Sequence, residues 1–210
     1  MSSLAFGKHI DPNKIHTEGI TNISLSDVEY AKADNRAIKL LGRSEIFEDG
    51  RVFAMVSPCM IQNTNQLANV EDVYNGILVA GDSLGEVMFY GRGAGKLPTA
   101  SAVVADVIDA VKHLQRRLWF YWGPEQENCM MDYRDVETRF YLRFSCTDKA
   151  MAMELTSGYF GYCHDIRLNV PNEVAFITPL KEEGQLLLQL EEYQKKECIT
   201  SLSSKIRVIE

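Results

Sequence analysis

The sequence predicts an α/β (α+β) protein, in which a mixed open sheet with covering helices comes first and a unit with the element order βαββαβ follows. Three observations support this fold class. Residues 37–61 and 73–90 each contain two strand-like runs separated by a turn. Residues 98–118 carry apolar side chains at helical spacing, and residues 136–210 alternate strand-like with helix-like segments.

The first predicted elements are a helix and a hairpin. The helix covers residues 26–33, with Ser26 as its N-cap, because Glu29 follows three residues later as a capping box requires. The Glu-Asp-Gly segment at residues 48–50 is a strong hairpin signal between two strand-like runs. Those strands are predicted at residues 37–47 and 51–61.

Two further strands and a long helix complete the first unit. The strands are predicted at residues 73–80 and 86–90, around a Gly-Asp-Ser turn at residues 81–83. The helix over residues 98–118 is expected to cover one face of the sheet. The other face has no helix to cover it, so it must be buried against something else.

A loop with three glycines, Gly91, Gly93 and Gly95, leads into this long helix. Glycine lets a flat or phosphorylated group approach the backbone closely, and Pro98 stands where the first helical turn tolerates proline. A glycine loop that runs into a helix N-terminus has the local chemistry of an anion or cofactor contact. A plain strand-to-helix turn explains the same spacing, and both interpretations stay open.

The loop departs from two known phosphate-binding patterns. It is not a P-loop, because Tyr90 stands where the first glycine belongs and Leu97 stands where Ser or Thr must follow the lysine. It is not the Rossmann pattern, because Lys96 takes the place of the last glycine and no βαβ unit surrounds it. The nearest acidic residues, Asp82 and Glu86, are expected to serve a surface turn rather than acid–base chemistry.

The second unit follows a linker predicted at residues 119–135, where an aromatic run gives way to a polar stretch. The predicted domains are therefore residues 1–118 and 136–210. Large apolar residues alternate with Tyr141 and Arg143 in the first strand of the second domain, as in a half-buried strand. The order of elements fits a ferredoxin-like sandwich. The later elements are a helix at residues 149–157, strands at 161–170 and 173–178, a helix at 182–195 and a strand at 206–209.

Length, charge and hydropathy exclude several classes of protein. A chain of 210 residues that is 46% hydrophobic and 24% charged can bury the cores of one or two domains. A formal net charge of −7 argues against a general surface for nucleic acid or anionic membranes. No apolar run approaches the ~18 residues of a membrane span, and residues 1–7 do not resemble a signal peptide.

The cysteines and histidines do not form a recognisable metal or disulfide pattern. The five cysteines contain no Cys-x-x-Cys pair, and the four histidines show no metal-ligand spacing. This usage is typical of reduced thiols in a cytosolic protein, so neither a metal site nor a disulfide frame is expected. The sequence therefore predicts a cytoplasmic location.

The glycine loop and its helix closely resemble a segment near the end of the catalytic domain of bacterial homoserine dehydrogenases. The matching string is GRGAGKLPTASAVVAD at residues 91–106. Further motifs resemble that family in the same order, over roughly residues 4–114. They are GITNISLSDVEYA at residues 19–31, VSPCMI at 56–61, LANV at 67–70 and NGILVAGD at 75–82.

The resemblance implies an enzyme that interconverts L-aspartate 4-semialdehyde and L-homoserine with NADP or NAD, in threonine and methionine biosynthesis. It implies that Gly93, Ala94 and Gly95 contact the cofactor, with Thr99 as a supporting hydroxyl. The family's nucleotide-binding domain and proposed catalytic lysine precede the matched segment. We therefore assign no catalytic residue in this chain, and we expect the chain alone to be inactive.

The resemblance also implies partners. A homodimer or higher homo-oligomer is expected through the first sheet, together with a small-molecule substrate. The second domain resembles an ACT domain, a module that senses amino acids, although residues 148–151 lack the usual aspartate followed by Pro-Gly. An amino-acid effector and a purely packing role both stay open. The alternative function is a stand-alone sensor or scaffold that has lost catalysis.

Overall fold

The computed structural model describes residues 1–116, 123 and 129–210. Its helices are α1 (Ser2–Phe6), α2 (Leu25–Ala33), α3 (Lys96–Lys112), α4 (Lys149–Phe160) and α5 (Glu183–Gln194). Its strands are β1 (His16–Thr17), β2 (Arg36–Ile46), β3 (Val52–Gln62), β4 (Tyr74–Gly81), β5 (Gly85–Arg92), β6 (Glu137–Cys146), β7 (His164–Asp165), β8 (Glu173–Ile177), β9 (Lys181–Glu182) and β10 (Ile199–Ile209). Parallel and antiparallel pairs occur in one sheet, which confirms the predicted α/β class with a mixed sheet.

The chain divides into two compact units. One consists of Met1–Gln62 together with Trp122–Glu210, and the other of Asn63–Tyr121. This division differs from the predicted domains, residues 1–118 and 136–210. The physical reason is that β10, near the end of the chain, pairs with β3 and so joins the later elements to the first sheet.

Strand β3 organises the larger unit. It pairs antiparallel with β2 along its length, and parallel with β1 and β10 on its other edge. The N–H of Glu18 donates to the carbonyl oxygen of Val56 (2.8 Å), so the backbone groups of Val56 point to that edge. Residues two apart in a strand point the same way, so the backbone of Pro58 faces that edge too. Pro58 falls between the segments paired with β1 and β10. Its missing N–H therefore breaks no ladder hydrogen bond there.

The later strands form a sheet in the order β10-β6-β8-β7, with neighbours antiparallel. With α4 and α5 this is the predicted βαββαβ order. The strand predicted at residues 161–170 is wrong in extent, because only His164–Asp165 pairs with β8. The last strand is longer than predicted, since β10 begins at Ile199 and pairs with both β6 and β3.

Both faces of this sheet are covered. On one face α4 and α5 enclose an aromatic core that includes Phe144, Phe160, Phe176 and Tyr193, all fully buried. On the other face, Tyr30 and Ala31 of α2 belong to a second cluster with Tyr141, Ile177 and Ile206. The predicted half-buried character of β6 is therefore wrong. Tyr141 is fully buried because a helix from the first half of the sequence covers it.

The N-terminus of α2 differs from the predicted cap. The N-cap is Ser24, not Ser26, and Asp27 takes the position that Glu29 was expected to fill. The hydroxyl of Ser24 accepts from the N–H of Asp27, and the carboxylate of Asp27 accepts from the N–H of Ser24 at 2.9 Å. Both pairs satisfy the capping-box spacing, and the buried position of Asp27 decides between them.

The smaller unit contains the hairpin of β4 and β5 and the helix α3. The hairpin register runs from Tyr74↔Arg92 to Gly81↔Gly85, which agrees with the two predicted strands. Helix α3 ends at Lys112 instead of residue 118 and contains no buried residue, contrary to the expected covering role. Predictions for residues 117–122 and 124–128, which include the end of this helix and most of the first half of the predicted linker, lie outside the described residues. Among the described helices, none combines the length and apolar character needed to cross a bilayer.

Candidate functional site

The predicted contact loop lies between β5 and α3 on an exposed surface. Residues Gly93, Ala94, Gly95 and Thr99 are all exposed. Gly95 is the N-cap of α3, with φ 115° and ψ 158°. A residue with a Cβ rarely adopts this left-handed φ, so the backbone at this position requires glycine.

Gly93 is constrained for a different reason. A Cβ placed on Gly93 would lie 1.7 Å from Nδ2 of Asn75 and 2.9 Å from its Cγ. The N–H of Gly93 also donates to the carbonyl oxygen of Val73 at 3.3 Å, which extends the pairing beyond the end of the hairpin. The glycine therefore allows the loop to pass closely over the side chain of Asn75. The atoms approached lie at the end of the exposed Asn75 side chain, which can turn aside, so this packing alone does not require glycine at position 93.

Aromatic stacking fixes the end of the hairpin from which the loop departs. The rings of Tyr74 and Tyr90 stack with centroids 4.9 Å apart and planes 4° apart. The guanidinium of Arg92 lies 5.4 Å from the centroid of Tyr74, and its Nε donates to the Tyr74 hydroxyl at 3.3 Å. These contacts hold the loop at a defined place beside the start of α3.

The first turn of α3 offers backbone donors to solvent. The first N–H groups of an α-helix have no partner within the helix, and Gly95 has no side chain that could cap them. The N–H of Thr99 donates to the carbonyl oxygen of Gly95 at 3.1 Å. Such a turn, next to an exposed glycine loop, fits a flat or anionic group. The four predicted residues are thus all exposed, in the loop and in the first turn of α3.

No acid–base pair accompanies this loop among the described residues near it. Asp82 lies in the turn at the far end of the hairpin, and Glu86 is the second residue of β5, next to that turn. At about 3.3 Å of rise per residue, Glu86 lies about 20 Å along the strand from Arg92. Within the described part of the chain, no group of three or more His, Cys, Asp or Glu side chains is placed to hold a metal ion. The loop can position a ligand, and the two acidic side chains considered above, Asp82 and Glu86, do not lie beside it.

Sequence reasoning missed a buried ionic cluster around Arg143. Its Nε donates to Asp27 at 2.9 Å, its Nη1 to Glu173 at 2.5 Å and its Nη2 to the hydroxyl of Ser24 at 2.9 Å. The hydroxyl of Tyr30 donates to Glu173 at 2.9 Å. Burial would raise the pKa of Asp27, but hydrogen bonds from Ser24 and Arg143 outweigh it and lower the pKa.

A second cluster, around Arg207, was also missed. Arg207 donates two hydrogen bonds to Glu183, at 2.9 and 2.6 Å, and two to Glu18, at 2.8 and 2.9 Å. His16 Nε2 lies 2.7 Å from the same Glu18 carboxylate, and its ring stacks on Tyr133 at 3.9 Å. Burial would raise the pKa of Glu18, yet the bonds from Arg207 and His16 lower it to about 2.

Each cluster joins early residues to the βαββαβ module. Asp27 and Glu18 lie in the first thirty residues, whereas Arg143 and Arg207 belong to β6 and β10. Neither arginine has a sequence pattern that separates it from an ordinary surface arginine on a strand. Their roles depend on carboxylates that lie 116 and 189 positions away along the chain.

Comparison with known proteins gives a consistent result. The family model described as homoserine dehydrogenase matches residues 1–108. The homoserine dehydrogenase of Synechocystis sp. is 34% identical over 236 residues, which cover 100% of this chain and 52% of the relative. That of Corynebacterium glutamicum is 38% identical over 223 residues, which cover 99% of this chain and 49% of the relative.

Solved structures agree with these relatives. A homoserine dehydrogenase from Thiobacillus denitrificans matches with a TM-score of 0.84 and 26% identity, over 100% of this chain and 51% of that chain. A homoserine dehydrogenase from S. aureus, at pH 7.0, matches with a TM-score of 0.74 and 26% identity, over the same shares. The chain spans about half the length of the relatives that it matches.

Proposed function

The chain belongs to the homoserine dehydrogenase family, and from this we propose that it forms the C-terminal part of an NAD(P)-dependent enzyme that interconverts L-aspartate 4-semialdehyde and L-homoserine. The observation that carries the proposal is the family match over residues 1–108, which includes the glycine loop and most of α3. The structural match extends over the whole chain and supports the same assignment. Substrate and cofactor identity follow from the family name and the sequence resemblance.

In this proposal the loop contributes the cofactor contact. The backbone of Gly93, Ala94 and Gly95 lies against the cofactor, and the hydroxyl of Thr99 supports it from the first turn of α3. When bound, NAD or NADP supplies the hydride chemistry. The residues of this chain bind and orient, since the loop has backbone donors and no acid–base pair. The family resemblance places the group that handles the alcohol proton in the other half of the enzyme.

We expect the purified chain to oxidise homoserine with neither nicotinamide cofactor, because the family resemblance places the catalytic lysine and the nucleotide-binding domain before the matched segment. A chimera tests the proposal directly. In it, this chain replaces the matching half of the Synechocystis enzyme, and homoserine-dependent reduction of NAD or NADP is followed by absorbance. We expect the chimera to be active. Turnover by the isolated chain that homoserine analogues abolish, or a folded but inactive chimera, would contradict the proposal.

Gly95→Val in the chimera is expected to lower kcat/KM for the cofactor at least about tenfold, equal to ~1.4 kcal/mol. Valine at φ 115° strains the backbone whether or not a cofactor binds, so this variant needs a companion without strain. Thr99→Val removes only the hydroxyl and is expected to raise the cofactor KM while the melting temperature stays unchanged. Lys96→Ala is the control and is expected to have the smaller effect, because no P-loop geometry uses that lysine. If neither Gly95→Val nor Thr99→Val changed the kinetics, the loop would be only a strand-to-helix turn and not a cofactor contact.

The proposed enzyme is a homodimer or higher homo-oligomer. Strand β2 is the last strand on its side of the main sheet, and it exposes about half the surface of Leu40 and Ile46. Apolar side chains on a long edge strand favour association with another strand. We expect light scattering of the chain at micromolar concentration to give at least twice the 23.7 kDa monomer mass. A monomer mass, or a dimer that Leu40→Lys leaves intact, would contradict association through this strand.

The second candidate function is a stand-alone sensor or scaffold. The observation that favours it is the βαββαβ module, with the strand order β10-β6-β8-β7 of an ACT-like fold. Residues 148–151, where an effector-binding loop would lie, instead form the start of α4. The carboxylate of Asp148 caps this helix by accepting from the N–H of Met151 at 3.0 Å. This favours packing over effector binding. The sensor would instead be supported by two results together. The chimera would be inactive, and threonine or another amino acid would raise the melting temperature of the isolated chain.

A further inference from the structure

A buried arginine at the start of β2 has a hydrogen-bond donor with nothing to bind. The side chain of Arg36 is only 9% exposed, and its Nε donates to Asp34 at 2.8 Å. Its Nη1 is buried without a hydrogen-bond partner, and no other side-chain nitrogen or oxygen in the described part of the chain shares this condition. A buried polar atom without a partner often indicates a water or an ion that completes the site.

Asp34 cannot supply the missing bond. One of its carboxylate oxygens accepts from Nε of Arg36, and the other lies 2.6 Å from Nε2 of His164. Both oxygens are therefore engaged, and a turn of the carboxylate towards Nη1 would break one of these contacts. The partner of Nη1 has to come from elsewhere.

A second arginine and a carboxylate lie beside Arg36 at the same end of the sheet. Arg139 belongs to β6, and Glu210 directly follows β10, the strand that lies between β3 and β6. Nη2 of Arg139 lies 3.4 Å from Oε2 of Glu210, and Nη2 of Arg36 lies 3.8 Å from Oε1. Two guanidinium groups from different strands thus meet at one carboxylate.

Glu210 is a weak partner for these arginines. Its distance of 3.8 Å from Arg36 is too long for a hydrogen bond. Its side chain is 51% exposed, so water competes for the carboxylate and the ion pairs contribute little to stability. A carboxylate from solution can therefore replace Glu210 at small cost.

We propose that Arg36 and Arg139 bind the carboxylate group of a small molecule, and that Glu210 covers this site when no ligand is bound. Asp34 binds Arg36 at Nε, which leaves the edge formed by Nη1 and Nη2 for the ligand. A planar carboxylate accepts two parallel hydrogen bonds from such an edge, and these charge-assisted bonds are strong. The ligand would replace the negative charge of Glu210 and give Nη1 the partner that it lacks.

This site goes beyond the proposed function. It belongs to the larger unit, Met1–Gln62 with Trp122–Glu210, whereas the glycine loop belongs to the smaller one. The test therefore uses the isolated 210-residue chain and measures binding, so an inactive chimera would leave its outcome unchanged.

The experiment uses acetate as the probe. We expect sodium acetate to raise the melting temperature and to shift the NMR signal of the Arg36 Nε–H with one saturable dissociation constant. Sodium chloride at the same ionic strength should do neither. Arg139→Met should weaken acetate binding at least about tenfold, because it removes a charge-assisted hydrogen bond. Glu210→Gln should tighten binding at least about threefold, because it removes the competing carboxylate.

Arg43→Met is the matched control. Arg43 also lies on β2 and pairs with a carboxylate, Glu45, but both side chains are well exposed. We expect this variant to bind acetate as the wild-type chain does. Arg36→Met should abolish binding. Should that buried substitution prevent folding, Arg139→Met and Glu210→Gln still decide the question, since both lie at partly exposed positions.

Four results would overturn the proposal. Acetate could act no differently from chloride, as expected if a water molecule alone completes Arg36. Arg43→Met could weaken binding as much as Arg139→Met. Glu210→Gln could leave the dissociation constant unchanged, so that Glu210 does not cover the site. Inorganic phosphate could bind where acetate does not, in which case the ligand is not a carboxylate.

Discussion

Replacing Asp27 with alanine is expected to lower the free energy of unfolding by about 3–5 kcal/mol, the usual cost of removing one partner of a buried ion pair. Asp27 is fully buried, and it accepts hydrogen bonds from Arg143 and from both the N–H and the hydroxyl of Ser24. Alanine leaves the guanidinium of Arg143 with one carboxylate, Glu173, and removes the capping box of α2. Urea denaturation followed by circular dichroism measures the change.

A matched control is available on the same helix. Glu29 is exposed, so Glu29→Ala is expected to change the free energy of unfolding by no more than about 0.5 kcal/mol. Arg143→Met, which removes the charge but keeps much of the volume, is expected to be destabilising by itself. The double variant Asp27→Leu with Arg143→Met should lose less free energy of unfolding than the two single variants lose together. Additive losses, or a small effect of Asp27→Ala, would show that the cluster does not hold α2 to the module.

Arg207→Met is expected to be about as costly, roughly 3–5 kcal/mol. The side chain of Glu183 is only 2% exposed, and without Arg207 its carboxylate would remain buried without its ion-pair partner. Arg207 also binds Glu18 with two hydrogen bonds, so the substitution removes the link between the segment after β1 and strand β10. Arg167→Met is the control, because the Arg167 side chain is 86% exposed and its bond to Asp165 is a surface pair. Similar losses in both variants would refute the burial argument.

The contact with Glu18 gives this stabilisation a pH dependence. The pKa of Glu18 is lowered from 4.5 to about 2 in the folded chain. A lowered folded pKa means that the contribution is complete above about pH 4.5 and is lost as the pH falls towards 2. The difference in stability between the wild-type chain and Arg207→Met should therefore shrink over that interval. A difference that stays constant from pH 5 to pH 2 would show that Arg207 does not lower the pKa of Glu18.

Local patterns in the sequence predicted much of the secondary structure. The Glu-Asp-Gly turn before β3 contains Gly50, whose φ of 80° is a conformation that glycine readily adopts. The alternation in β6 and the helical spacing of α5 depend on residues close together in the chain, so these elements were predicted near their observed positions. The cap of α2 was shifted by two residues, because Ser24 and Ser26 both satisfy the local rule. The burial of Asp27, where it accepts a hydrogen bond from the distant Arg143, decides between them.

At the candidate site, too, the local sequence pattern of the glycine loop did not determine which group it contacts. Its spacing indicated close backbone approach, and the conformation of Gly95 agrees with a position that requires glycine. The approach at Gly93, however, is to Asn75 of the neighbouring strand. A sequence pattern can indicate that something comes close without distinguishing a ligand from the protein's own side chain.

The sequence by itself determined the family, the α/β class and the position of the glycine loop, because each depends on residues that are neighbours along the chain. The tertiary structure decided how the chain divides into units and which polar residues are buried. The parallel pairing of β10 with β3 and the bonds from Arg143 to Asp27 and from Arg207 to Glu18 join positions more than a hundred residues apart. The free energy of such contacts depends on which surfaces exclude water together, and that arrangement exists only once the whole sheet has formed.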